Sequence, residues 1–463
     1  MKQHGTSCGH SSHSTLAFLE QHKQQIDYPG VCIHSKGTLI DLGEALHQVP
    51  TNVSVAILAG YTYLGQFIDH DITHTFGSDT LASADVAPHS YLNLATANLQ
   101  LTSLYDVKGM QYQPGLNQQN AEFVLAPVID EDDQILSHIK ADLPRDPVTK
   151  QALIPDQRND ENLLVAQIHS HFLKLHNHYV RQQPSDMPLT DKFNKAKNAV
   201  INFYQNIVIH DFLRTLLNFD VWQLYFAASP STAQNAVRQQ PAIFFKQGIP
   251  IEFSAAAFRF GHSMVREKYR LNTDTNATLT ELFHFTGRGK LNGRSHLPLK
   301  YVVDLDAFFT PGARHEQKAN DIRPHVGINI PDFPWPANRL AIRNLFRGQT
   351  LGLASAQHVV EQLQNALPES IFKQLDILQQ EDISHPVLDA VGHKLLLQKN
   401  TPLWFYILLE AFKKGKSRTL GPVASVIIAE TFYHLLERDQ NGTVLIPTEQ
   451  MTMRDLMAIT KKQ

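Results

Sequence analysis

A mainly α-helical fold with long irregular connections is what this sequence predicts, and three observations predict it. Apolar residues recur at helical spacing in several long segments, strand-like alternation is scarce, and extended polar or proline-rich stretches separate the periodic segments. Residues 61–74 form the first periodic segment. Residues 160–181 place Leu164, Ile168, Phe172 and Leu175 on one face, and residues 192–217, 354–366, 401–414 and 420–437 repeat the pattern. Residues 105–160, 218–252 and 311–338 lie between them and read as loops. Loops of that length are unusual unless they carry function or wrap a cofactor. No internal repeat is evident. One domain is expected over residues 50–463. A partly disordered N-terminal arm over residues 1–49 precedes it, and the arm's Ser/Gly-rich start offers His4, His10 and His13 as adventitious metal ligands.

Bulk properties exclude several classes. The 463 residues are 43% hydrophobic, enough for a sizeable core, and the formal net charge of −3 gives no basic excess for nucleic acid or an anionic membrane surface. The two cysteines, Cys8 and Cys32, support neither a disulfide framework nor a cysteine-rich zinc site. No apolar core follows Lys2, so a cleaved signal peptide is not expected. No run reaches the roughly 18 apolar residues of a membrane span. A cytoplasmic protein, or one exported without a cleaved signal, is the expectation.

Four short constellations carry candidate chemistry. The stretch "GQFIDHDITH" sets Asp69, His70 and Asp71 in succession; on a helix Gln66 and His70 share a face, while Asp71 points about 100° further round. The same spacing also suits an amphipathic helix with a solvated Asp-His-Asp ridge. In "DQRNDENLLVAQIH", Arg158 and Glu161 stand three apart where a helix begins, with Asp160 as an N-cap or first-turn acid. A surface Arg–Glu pair fits that pattern equally. In "AAAFRFGHSMVREKYR", His262 follows a glycine, as a satisfied core histidine or an axial metal ligand. In "LAIRNLFRGQTLGLAS", Asn344 and Arg347 stand three apart, which also suits ordinary helix C-terminal chemistry.

Taken together and in order, these motifs resemble the animal-type haem peroxidases of the peroxidase–cyclooxygenase superfamily, its bacterial members above all. The resemblance runs from about Ala59 to Glu437 and includes "AGYTYLGQFIDHDIT", "DLPRD", "FLKLHNHYV" and "TPLWFYILLEAF" with "LGPVASVIIAETF". It implies a helical fold with haem b between core helices. It also implies a peroxidase that reduces hydrogen peroxide and oxidises small donors such as halide, thiocyanate or phenols. Carried over by position, His70 resembles the distal histidine, Gln66 the distal glutamine that orders water or halide, and Arg158 the distal arginine. His262 resembles the proximal iron ligand and Asn344 the partner of its ring. Arg259 and Arg347 resemble the arginines that hold the haem propionates. Asp69 and Glu161 match the two carboxylates that form esters with haem methyl groups.

The chemistry suits these residue types. A neutral imidazole accepts the peroxide proton, a fixed guanidinium stabilises charge on the leaving oxygen, and a backed imidazole is a strong axial donor. Two departures stand out. Asn162 occupies the position where many mammalian relatives carry a sulfur-linked methionine, so no sulfonium link is expected. In the calcium segment, aligned as "TANLQLTSLYD", Asp71 is joined by Thr96, the Asn98 carbonyl, Gln100 and Thr102, and a glutamine stands where an aspartate is usual. A single carboxylate predicts a weak calcium site. The rival function is a fatty-acid oxygenase. Those relatives place a radical tyrosine three residues before the proximal histidine, where this chain has Arg259. A non-catalytic haem-binding or interaction protein is the other alternative.

Overall fold

The computed structural model describes residues 30–50, 52–73, 99–246, 248–330, 334–440 and 442–461. Seven helices frame the site: α1 (Lys36–Gln48), α2 (Gly60–Ile72), α3 (Leu163–Arg181), α4 (Leu189–Asn206), α5 (Leu340–Thr350), α6 (Leu403–Lys413) and α7 (Pro422–Leu435). The strands are short and pair two by two. Val53–Leu58 runs antiparallel to Lys318–Asn320, and Ala126–Ile129 to Ile135–Asp142. Among the described residues no helix is long and apolar enough to cross a membrane.

Each framing helix follows from its sequence. The Asn162 side chain accepts from the Leu164 N–H at 2.9 Å and caps α3, so the helix starts one residue later, not at residue 160. Asp160 is therefore not the cap. It lies in a 3₁₀ turn, Gln157–Asp160, and receives Arg145 Nη1 at 2.5 Å and the Gly287 N–H at 2.9 Å. Asp142 holds the same guanidinium at 2.7 Å, so a buried acid–arginine–acid cluster fixes the turn that carries Arg158 and Glu161. Such a cluster is costly to break by removing one partner. Phe67 of α2 stacks on Phe172 of α3 with ring centroids 5.2 Å apart and meets Tyr204 of α4 edge-on, which locks these three helices together. Helices α6 and α7 are buried on almost every side and form the centre of the core.

Several expected boundaries shift. The core extends before residue 50: Leu39, Leu42 and Leu46 of α1 are fully buried. A Cβ on Gly43 would lie 2.4 Å from Ile342 Cγ1, so glycine there allows α1 to pack closely on α5. Residues 105–160 contain the hairpins rather than one loop. Residues 218–252 contain two eight-residue helices, Phe219–Phe226 and Thr232–Gln239. Local caps start them: Asn218 accepts from two backbone N–H groups, and Ser231 with Gln234 forms a capping box. The periodic run expected over 192–217 continues past α4 as a π-helix, Ile207–Leu213.

Candidate active site

A cavity of about 460 Å³ opens between α2, the turn before α3, α5 and a 3₁₀ segment, Ala257–Met264. Phe212, Phe258, Phe260, Met264, Ile328 and Ile330 form its apolar walls, and polar side chains line about as much of it. The α2 periodicity puts Tyr61, Gly65, Gln66, Asp69 and His70 along one face, toward the cavity, while Phe67 and Ile68 face the core. Glu161 and Asn162 enter from the turn before α3, Arg259 and His262 from the 3₁₀ segment, and Arg343 from α5.

His70 is buried, and its Nδ1 lies 2.8 Å from Asn159 Oδ1. An oxygen facing that nitrogen requires Nδ1–H to donate, which leaves Nε2 with its lone pair. The Asn159 amide is itself oriented by His169, whose Nδ1 accepts from Nδ2 at 3.0 Å. All three residues are buried, and Asn159 and His169 have no exposed surface. Burial, aided by the Arg158 charge, holds the His70 imidazole below its ordinary pKa. It is a neutral base at pH 7.

On the other imidazole, His262 Nδ1 lies 2.8 Å from the Asn344 side-chain amide. The amide atom placed there is Nδ2; with the amide turned by 180° to present Oδ1, Nδ1–H would donate and leave Nε2 as the donor for a metal. Burial and then the Arg259 charge press the His262 pKa down to about 3. Arg259 donates Nε–H to the Ser254 carbonyl at 2.7 Å, and its own pKa falls to about 10 through burial and the nearby Arg347. Among the described residues, Arg259, Arg288 and Arg343 line the cavity together with the carboxylates Asp69 and Glu161. Guanidiniums in such a wall suit the carboxylate or other anionic part of a ligand.

Most of the candidates from the sequence converge. His70, Gln66, Asp69, Glu161, Arg259 and His262 line one cavity, and Asn344 backs His262. Arg158 takes a different place. Its Nη2 pairs with Asp156 at 2.7 Å and donates to the His70 carbonyl at 2.8 Å, while Nη1 donates to the Thr73 carbonyl at 2.7 Å. The guanidinium thus closes the C-terminal carbonyls of α2 and sets where His70 stands, rather than lining the cavity. Arg347 lies one turn beyond Arg343 and outside the lining. Of the calcium candidates, Asp71 and Thr102 meet: the Thr102 hydroxyl donates to the Asp71 carboxylate at 3.2 Å, as does the Leu101 N–H at 3.2 Å. Gln100 turns away and donates to Glu437 at 2.6 Å. Thr96 and Asn98 lie outside the described residues.

Comparison with known proteins decides the family. A family model for animal haem peroxidase matches residues 100–440. The chain belongs to the animal haem peroxidase family. Heme peroxidase 2 of Caenorhabditis elegans is 24% identical over 333 residues, which cover 66% of this chain and 42% of that protein. The chain therefore spans under half the length of that relative. Peroxidase A from Dictyostelium discoideum superposes with a TM-score of 0.58 at 14% identity, covering 94% of this chain and 87% of the other. Oryza sativa fatty acid alpha-dioxygenase gives 0.60 at 13% identity, covering 95% and 80%. At such identities these likenesses establish the fold.

The cavity's own chemistry fits a haem: a neutral, backed imidazole for the iron, guanidiniums for carboxylate groups, and apolar walls for a planar ring. Sequence reading missed Asn159, His169, Arg288 and Arg343. For Arg343 a signal existed, since it precedes Arg347 by four residues and shares its helix face.

Asn159 gives a direct test. Asn159→Leu is expected to keep haem uptake but slow the reaction with peroxide by roughly 10–100-fold, the usual cost of losing a group that orients a catalytic imidazole. Stopped-flow mixing with peroxide measures it. A rate equal to that of the parent protein would show that Asn159 does not set the His70 tautomer.

Proposed function

We propose that this chain is a haem-dependent peroxidase that binds haem b in the cavity, reduces hydrogen peroxide and oxidises small donors: halide, thiocyanate or phenols. The observation that carries this reading is the pairing, in one cavity, of two neutral imidazoles, one buried and one partly buried, each tied at Nδ1 to an asparagine. His262 would hold the iron, Arg259 and Arg343, with Arg347 behind them, would hold the carboxylate groups, and haem supplies the redox chemistry when bound. His70 Nε2 takes the proton of the incoming peroxide and returns it to the departing oxygen. Gln66, one turn earlier on α2, orders water or a small anion beside it. The apolar walls exclude bulk water and so strengthen these polar contacts. The test is a panel of halides and phenols with the haem-loaded full chain. Peroxide-dependent turnover with at least one donor is expected; no peroxide consumption with any donor would overturn the reading.

One observation favours a second reading. The fold likeness to a fatty acid alpha-dioxygenase fits oxygenation of a fatty acid. Arg259 stands where such a mechanism wants a radical tyrosine. Oxygen uptake with a fatty acid and no peroxide separates the two.

Covalent attachment is a further expectation of this reading. Asp69 and Glu161 line the cavity from different elements, and Glu161 lies 3.9 Å from Arg288. Turnover with peroxide is expected to esterify haem methyl groups to one or both. Intact-mass measurement before and after peroxide reads this out. Asp69→Val and Glu161→Gln should each remove one link. A mass that never rises by one haem, with pigment fully extractable by acid–butanone, would make both acids polar lining only. Asn162 is committed to capping α3 and offers no sulfur for a third link.

A further inference from the structure

Tyr61 also lines the cavity, and its role is not explained by the chemistry above. It sits at the start of α2, nine residues before His70, or about 13 Å along the helix axis. Its hydroxyl donates to Asp211 Oδ1 at 2.5 Å. Asp211 is 8% exposed, and its second oxygen accepts from the Met453 N–H at 2.8 Å. The carboxylate is thus fixed by a backbone donor and turned toward one phenol. Asp211 belongs to the π-helix Ile207–Leu213, which also sends Phe212 into the cavity wall. Single π-turns are uncommon and concentrate at functional sites. The Tyr61 ring is held edge-on by Phe309, with centroids 5.7 Å apart.

We infer that Tyr61, with Asp211 as its proton acceptor, is a redox-active tyrosine that gives one electron to the haem and so extends the oxidising site along α2. The inference rests on the peroxidase reading. A phenol that loses an electron becomes strongly acidic, and without a base at hand the oxidation passes through a high-energy cation. Here the O–H bond breaks as the electron leaves. The proton passes to Asp211 Oδ1, and the electron passes to the haem after its oxidation by hydrogen peroxide. A reducing donor at that end of the cavity then restores the phenol by supplying one electron, while Asp211 returns the proton. Other aromatic groups nearby are placed differently. Tyr63, the second phenol in the lining, meets the Tyr269 ring edge-on. Trp404 donates its ring N–H to the Arg259 carbonyl at 3.2 Å, and an amide oxygen is a poor proton acceptor.

The experiment uses the haem-loaded full chain, mixed with one equivalent of peroxide without donor and freeze-quenched for electron paramagnetic resonance. A tyrosyl signal is expected, narrowed when the protein is grown on ring-deuterated tyrosine. Trapping with a nitroso spin trap and peptide mass mapping should place the adduct on Tyr61 in the unsubstituted protein. Tyr61→Phe should abolish that signal while haem uptake stays normal. Asp211→Asn, which keeps a hydrogen-bond acceptor but removes the base, should lower the radical yield several-fold. An adduct on Tyr63 or Trp404, or an unchanged signal in Tyr61→Phe, overturns the inference. Peroxide consumption without any tyrosyl signal overturns it alone. Failure to consume peroxide overturns the peroxidase reading and this inference with it.

Discussion

His262→Ala is expected to abolish stable haem binding, with loss of the Soret band and of all peroxide-dependent activity. The imidazole is neutral at any ordinary pH, because burial and the Arg259 charge press its pKa to about 3. A metal therefore displaces no proton from it at pH 7. Truncation removes the imidazole nitrogen that would hold the iron and leaves the Asn344 amide, itself buried, without its 2.8 Å contact. The guanidiniums alone would hold a haem by its carboxylate edge, without fixing the iron. Titration of haem into the purified variant, followed by absorbance, measures the effect. Added imidazole is expected to restore part of the Soret band by filling the vacated space. A variant with a normal Soret band and normal turnover would show that another residue binds the iron.

The helical frame was largely legible because its segments are long and strongly periodic. Residues 160–181 announce α3 through side-chain spacing alone, and 420–437 announce α7 as a long apolar run. The helices Phe219–Phe226 and Thr232–Gln239 were not legible, because at eight residues the caps at Asn218 and Ser231 decide them more than any apolar stripe. The π-turn before Arg214 is invisible to a period of 3.6. The site was legible only through motif order. His70 and His262 stand 192 positions apart, and nothing local in either segment calls for the other.

Side-chain direction was the part that sequence could not supply. Arg158 was expected to face the reacting oxygen, and the outcome turned on Asp156, two residues earlier, and on where the carbonyls of α2 end. Asn159 sits in a 3₁₀ turn, where helical-face reasoning assigns it no direction, and so the group that sets the His70 tautomer passed unnoticed. The Tyr61–Asp211 contact joins residues 150 apart and depends on the π-turn. These misses share one cause: each side chain is aimed by irregular backbone or a distant partner.

His70→Ala is expected to keep haem yet slow the reaction with peroxide by about 10²–10⁴-fold, the usual worth of a positioned general base. Retention of haem is expected because His262, Arg259 and Arg343, which would hold it, come from other elements than His70. The loss follows from Nε2, which the Asn159 contact leaves as the unprotonated nitrogen facing the cavity. Arg158 cannot take its place, because its guanidinium is bound to Asp156 and to the carbonyls that end α2. A double substitution sharpens the test. If Asn159 acts by orienting His70, His70→Ala with Asn159→Leu should be no slower than His70→Ala alone, because the residue being oriented is already gone. Additive losses would mean that Asn159 acts through some route other than His70. A single His70→Ala variant that reacts with peroxide at the parent rate would remove this histidine from proton transfer altogether.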